Sequence, residues 1–276
     1  MQTGIGRQYR EPSWLERIAA GSAGRAPSWL RLPLKRAYHA LLSALPGDHL
    51  TCRLPGGEII RVDPDYRHLA WNAEEYHALK GCAREGATVF DIGANVGCYT
   101  LLFARWVGGT GRVYAFEPAA ASRAGLERHL SINGLAGRVT VRPEAVSDRS
   151  GSATFLDAGT HGDNRLVPGG TADTTSVPSV SIDEFCAANG IVPDIIKIDI
   201  EGAELAALRG ARGTIAGRGA ALCLFVELHP AIWPSLGVTR AAIEEELRHQ
   251  ALVVESLPGV GDPWSTEGVC VRVRPA

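Results

Sequence analysis

From residue 86 onward, short apolar runs alternate with segments of helical period. Thr88-Val89-Phe90-Asp91-Ile92 and Arg112–Phe116 have the length of strands, and Ile195–Asp199 and Ala221–Leu228 repeat the pattern. Strands apolar on both faces belong to a parallel sheet covered on both sides. Between them, Tyr99–Val107, Ala119–Asn133, Ser181–Asn189, Ala203–Arg212 and Arg240–Gln250 read as helices. Ser181, with Glu184 three residues on, opens its helix as a capping box. Val139–Val146 is expected as a third strand, Ala158–Thr174 as a polar, glycine-rich loop, and Leu252–Ser256 and Gly268–Arg274 as the closing strands. This alternation predicts an α/β fold with helices on both faces of the sheet.

Residues 1–85 lack that alternation and are expected to form an N-terminal extension or cap on a Rossmann-like domain at 86–276. Leu34, Ala37, Tyr38, Leu41, Leu42 and Leu45 share one helical face, which predicts a helix packed over the C-terminal edge of the strands. Pro55-Gly56-Gly57 is a turn between two short β segments, Leu50–Leu54 and Glu58–Val62.

Composition narrows the function classes. The 276 residues are 45% hydrophobic and carry a net charge of −2, which supplies no basic field for nucleic acid. No apolar leader opens the sequence and no run is long enough to span a membrane, so a cytoplasmic protein is expected. Six scattered cysteines form no C-x-x-C pair and read as small apolar residues in a reducing compartment. The oligomeric state is not legible.

The chemistry is concentrated at the ends of the strands. Asp91-Ile92-Gly93-Ala94-Asn95-Val96-Gly97-Cys98-Tyr99-Thr100 is a strand end followed by a tight glycine turn at a helix N-terminus. A dinucleotide fold would need G-x-G-x-x-G, but Asn95 holds the middle position and Cys98 the last. A carboxylate beside the loop suits a cationic ligand better than a pyrophosphate, and S-adenosylmethionine fits that description. Glu117, before Pro118, lies where an acidic residue accepts both ribose hydroxyls. Glu144, before Ala145, lies where an adenine amino group could be bound. Asp91, Glu117 and Glu144 are thus expected at three successive strand tips, where open α/β sheets bind ligands.

A second constellation follows the fourth long strand. Lys197 and Asp199 share one side by strand alternation, and Asp199 stands at the tip where a sulfonium methyl would lie. Glu201 and Glu204 read as acids favoured by a helix start. Glu227 and His229, at the end of the next strand, share a side near Asp199. The general base is Asp199 or His229, whose ordinary pKa lies near operating pH. A divalent metal held by Asp199, Glu227 and His229 is the less favoured alternative.

Val89–Thr100, Ala115–Pro118, Ser179–Phe185, Ile195–Glu204 and Glu227–Pro230 together resemble the FkbM-type methyltransferase family, most specifically in Lys197-Ile198-Asp199-Ile200-Glu201-Gly202-Ala203-Glu204. The resemblance covers roughly Gly86 to Ala276. It implies a Rossmann-like class I methyltransferase sheet, S-adenosylmethionine as cofactor, and a small-molecule hydroxyl, on a natural product or sugar, as acceptor. On that reading Asp91, Gly93, Asn95, Gly97, Tyr99, Thr100, Glu117, Pro118, Glu144, Ala145 and Asp199 contact the cofactor, and Asp199, Glu227 and His229 form the catalytic group. The rivals are an NAD(P)-dependent oxidoreductase, a nucleic-acid methyltransferase and a non-catalytic cofactor-binding scaffold. The first lacks its glycine fingerprint. The second lacks the Asp/Asn-Pro-Pro-Tyr/Phe loop, whose place is taken by Asp-Ile-Glu-Gly.

Overall fold

A computed structural model describes residues 49–66, 69–157, 164–170 and 173–276. The helix expected over Leu34–Leu45 lies outside these residues. The described chain opens with the expected hairpin, β1 (Leu50–Arg53) and β2 (Ile59–Val62), in which Leu50 stands opposite Val62. A helix not anticipated from periodicity follows, α1 (Ala73–Cys82), capped by the Asn72 side chain, which accepts from the Glu74 and Glu75 amides.

The alternating part then runs β3 (Thr88–Ile92), α2 (Cys98–Trp106), β4 (Arg112–Phe116), α3 (Ala120–Asn133) and β5 (Val139–Arg142). The strand expected to reach Val146 stops at Arg142, because Pro143 has no amide hydrogen to continue the ladder. The chain leaves for a second, four-stranded sheet: β6 (Ala145–Val146), β7 (Gly151–Leu156), β8 (Arg165–Leu166) and β9 (Thr174–Val180), in the order β6-β9-β7-β8. Part of the stretch expected as a loop therefore forms strand. The chain returns through α4 (Ile182–Asn189), β10 (Ile195–Ile198), α5 (Glu204–Arg209), α6 (Arg212–Arg218), β11 (Cys223–Leu228), α7 (Arg240–His249), β12 (Leu252–Ser256) and β13 (Val269–Pro275). The helix expected over Ala203–Arg212 is α5 and ends at Arg209; α6, not anticipated, follows it after Gly210-Ala211.

The main sheet has seven strands in the order β12-β13-β11-β10-β3-β4-β5. Its pairings are parallel except those of β13, which is antiparallel to both β11 and β12. Strand alternation divides the core. Phe90, Ile196, Ile198 and Val226 face α4, α5 and α7. Val89, Ile195 and Phe225 face the other way, onto α1, α2 and α3. Phe90, Phe116 and Phe185 meet edge-on with centroids 5.0–5.7 Å apart, each pair adding about 0.5–1.5 kcal/mol to simple burial.

Residues before 86 share this packing. Ile60, Val62, Trp71, Tyr76 and Leu79 are fully buried in the same cluster as Val89 and Leu126, so there is no break in packing at residue 85. Buried His129 ties the hairpin to the glycine turn: its Nδ1 lies 2.7 Å from the Val96 carbonyl, and its Nε2 accepts from the Asp63 amide at 3.1 Å. That pair of bonds requires a neutral ring, and burial pushes its pKa down accordingly.

Candidate active site

After β3 the chain builds outward to β4 and β5, then crosses back to place β10 on the other side of β3. Sheets of this kind bind ligands at such a reversal, beyond the strands' C-terminal ends. A cleft of about 640 Å3, counted to its open mouth, lies there. The glycine turn forms its floor. Gly93 and Ala94 donate to the Phe116 carbonyl at 2.9 and 3.0 Å. Gly93 has φ +82°, and a Cβ there would stand 1.7 Å from the Asp199 carbonyl oxygen. The residue must be glycine because the glycine turn and the turn after β10 touch.

Asn95 takes φ +46°, in the left-handed region. Its amide donates to Glu117 Oε2 at 2.8 Å, and the Ala119 amide donates to Oε1 at 2.8 Å. Glu117 is buried by this grip. Burial pushes its carboxyl up to about 7, against the two backbone bonds and the nearby Arg123 charge. Glu144 lines the far side of the cleft beside Ala145, its carboxylate held by the Arg142 guanidinium. Phe155 and Leu166, from the second sheet, close that side.

Gly93, Asn95, Glu117, Pro118, Glu144, Ala145 and Asp199 all line the cleft, as expected from sequence. Asp91, Gly97, Tyr99 and Thr100 do not; they lie behind it. Asp91 is one residue short of the strand end, so its side chain turns toward α2. There it accepts from Thr100 Oγ1 at 2.5 Å and faces Lys197 across the sheet. Gly97 caps α2, and the Tyr99 ring carries the Lys197 ammonium 4.9 Å above its centre.

The opposite wall is a charged cluster. Buried Lys197 donates to Asp199 Oδ2 at 2.9 Å and lies 4.0 Å from Glu227. His229 is ringed by acids: Nδ1 is 2.8 Å from Glu204, while Nε2 is 3.6 Å from Glu201, 3.7 Å from Glu227 and 3.8 Å from Asp199. Glu204, fully buried, also accepts from the Trp233 indole at 2.8 Å. Burial alone would push the His229 ring down, but the bond to Glu204 and the charges of Asp199 and Glu201 raise it to about 10. The ring is therefore a cation at neutral pH. This corrects the expectation that it stands ready as a neutral base. Asp199, Glu201 and His229 bring donor atoms within 4.8 Å of one another; the protonated ring supplies positive charge to that centre itself. Burial works against ionisation of Asp199, but Lys197 and His229 outweigh it and hold the carboxyl below its usual range. Burial and the Asp199 charge push Glu227 well up.

Among the cleft-lining residues not expected from sequence are Phe155, Leu166 and Glu201. Phe155 and Leu166 come from strands hidden in a polar stretch. Glu201, read as a helix-start acid, lines the cleft from a residue with φ +49°.

The profile of the FkbM methyltransferase domain matches residues 91–251, more than half of the chain. The protein belongs to this methyltransferase family. No curated protein matches it. Among solved structures it is similar to a methyltransferase FkbM from Methylobacillus flagellatus KT, with 20% identity over 68% of this chain and a TM-score of 0.45. The chain spans only 43% of that protein. It is also similar to a ribosomal protein L11 methylase from Lactobacillus delbrueckii subsp. bulgaricus, with 13% identity over 81% of this chain and 89% of that one, TM-score 0.48. A SAM-dependent O-methyltransferase from Thermotoga maritima gives 13% identity over 88% and 82% of the two chains, TM-score 0.42. Within this FkbM-family chain, no helix among the described residues is long and apolar enough to cross a membrane.

Proposed function

We propose that this FkbM-family chain transfers a methyl group from S-adenosylmethionine to a hydroxyl oxygen of a small molecule, a natural product or a sugar. The observation that carries the reading is the convergence of Asn95, Glu117 and Asp199 on one cleft, where the buried Asn95 Oδ1 has no hydrogen-bond partner. An unsatisfied buried acceptor calls for a donor from a ligand, and the ammonium of S-adenosylmethionine is one. Glu117 would receive the ribose hydroxyls, and Glu144 with Ala145 would meet the adenine. Behind the cleft, Asp91 and Thr100 hold the base of the glycine turn.

S-adenosylmethionine, when bound, supplies an electrophilic methyl on a cationic sulfur. With it bound, the acceptor oxygen would take the methyl as the sulfur–carbon bond breaks, and a carboxylate of the charged wall would receive the hydroxyl proton. Asp199 stands at that wall with its charge held by Lys197; Glu227 lies behind it, and His229 fixes the acids around itself. The chain's main contribution is alignment of the two reactants away from water, with Phe155 and Leu166 as an apolar cover. In that wall the two cations, Lys197 and His229, are taken up by the carboxylates around them, so it offers no surplus positive charge to a phosphate-bearing acceptor, nucleic acid included. The six cysteines are free thiols, which suits a reducing, cytoplasmic setting.

Thermal unfolding with added ligand tests the reading. S-adenosylhomocysteine at a hundred times its Kd stabilises the folded chain by about 2.7 kcal/mol and raises Tm. A rise with NAD(P) and none with S-adenosylhomocysteine would overturn it.

A further inference from the structure

We infer that Glu201 is the group that takes the proton from the acceptor hydroxyl, with His229 positioning its carboxylate. This rests on the methyl-transfer reading above. Glu201 occupies the turn between β10 and α5, next but one to Asp199 and on the same wall of the cleft.

The backbone there is held at some expense. Glu201 has φ +49° and Gly202 has φ +100°. A Cβ at Gly202 would strike Leu236 and Ile232 at 2.7 and 2.8 Å, and the Gly202 amide donates to Glu204 Oε1 at 2.8 Å. A left-handed non-glycine residue costs on the order of 1–3 kcal/mol and persists where the surroundings over-determine it, commonly at functional sites. Here the turn is clamped on both sides of residue 201, and its effect is to present the Glu201 side chain to the cleft.

Asp199 is less suited to the task. Lys197 donates to its Oδ2, Oδ1 faces the His229 cation at 3.8 Å, and the two cations weaken its hold on a proton. Glu227 is set back beside Lys197 and does not line the cleft, and His229 has no free lone pair while protonated. Glu201 Oε2 faces His229 at 3.6 Å, and the side chain remains 26% exposed. The groups facing it are Asp199 on its own turn, His229 on the segment after β11, Glu204 on α5 and Glu267 before β13. Burial, opposed by His229 and reinforced by Asp199, raises its carboxyl to about 7, the range in which a carboxylate serves best as a base at neutral pH. In the step, the hydroxyl O–H bond breaks and the proton goes to Glu201 as oxygen bonds the methyl carbon. The electron pair of the sulfur–carbon bond returns to sulfur.

Two readouts test the assignment. In protein labelled with 13C at the glutamate carboxyl, two signals titrating near 7 should be present in the wild type, from Glu117 and Glu201, and only one of them should remain in Glu201→Gln. Turnover is measured with S-adenosylmethionine and a panel of free monosaccharides and polyols. For any probe the wild type methylates, Glu201→Gln should be slower by about 10²–10⁴-fold, with S-adenosylhomocysteine affinity unchanged. Its rate should also lose the rise with pH through neutrality, and Glu201→Asp should restore part of the rate. A wild type active on a probe and a Glu201→Gln variant equally active would overturn the role of Glu201 while leaving methyl transfer intact. If the wild type methylates nothing in the panel, the carboxyl titration decides: no signal near 7 that depends on Glu201 sinks the inference.

Discussion

If Glu117 holds the ribose as proposed, S-adenosylhomocysteine affinity should depend on pH in a way that can be worked out beforehand. Its carboxyl sits near 7 in the ligand-free chain because burial outweighs the bonds from Asn95 and Ala119. Two ribose hydroxyls can both donate only to the ionised form. That form is about nine-tenths populated at pH 8 and about one-tenth at pH 6, so affinity for S-adenosylhomocysteine should fall roughly tenfold between them, about 1.4 kcal/mol. Below neutrality, binding should also release a proton from Glu117. Isothermal calorimetry in two buffers of unlike ionisation heat reads both quantities. Glu117→Gln should bind roughly 10- to 100-fold more weakly and show a flat pH dependence. The sign for folding is opposite. A raised carboxyl pKa contributes stability below the ordinary 4.5 that is lost as pH rises through about 7, so the ligand matters most to stability on the alkaline side. Constant affinity from pH 6 to 8 with no proton released would refute the placement of ribose on Glu117.

Lys197→Met removes the cation between Asp91, Asp199 and Glu227, and should cost about 3–5 kcal/mol in urea unfolding; a loss below about 1 kcal/mol would mean the cluster is not held by that charge. Gly93→Val places a branched side chain at φ +82° and against the Asp199 carbonyl. It should cost about 3 kcal/mol or more and abolish S-adenosylhomocysteine binding, and a variant of wild-type Tm that still binds would contradict the contact between the two turns.

The parts legible in the sequence were those whose pattern follows from one cause. β3 and β10 are buried on both faces and β4 is largely so, so they read as short apolar runs carrying one internal charge at most, Asp91 in β3 and Lys197 in β10, and the ends of β4 and β10 lead directly to Glu117 and Asp199. Strand alternation also placed Lys197 with Asp199, and Glu227 with His229, correctly. The second sheet was hidden because β7 and β9 are half-exposed and rich in Ser, Thr and Gly, a composition shared with loops. α1 was missed because Ala-Glu-Glu-Tyr-His-Ala carries little amphipathic contrast; its signal was the Asn72 cap. The role of Asp91 was misread by one residue of register, since the side chain before the strand's last points away from the cleft. The charge state of His229 depends on Asp199, Glu201 and Glu204, all from the segment after β10, and no pattern local to His229 contains it.

The contact between Gly93 and the Asp199 carbonyl has a consequence for how such an enzyme can diverge. Neither turn can shift without the other, so the glycine turn and the charged wall form one inherited part in which changes must be made together or not at all. β7 and β8 reach the same cleft through Phe155, Arg165 and Leu166, on a sheet with its own small core. A lineage of this chain can therefore exchange or lengthen that hairpin while leaving the glycine turn and the charged wall untouched. New acceptors would enter by that side of the cleft, with the chemistry kept constant beneath them.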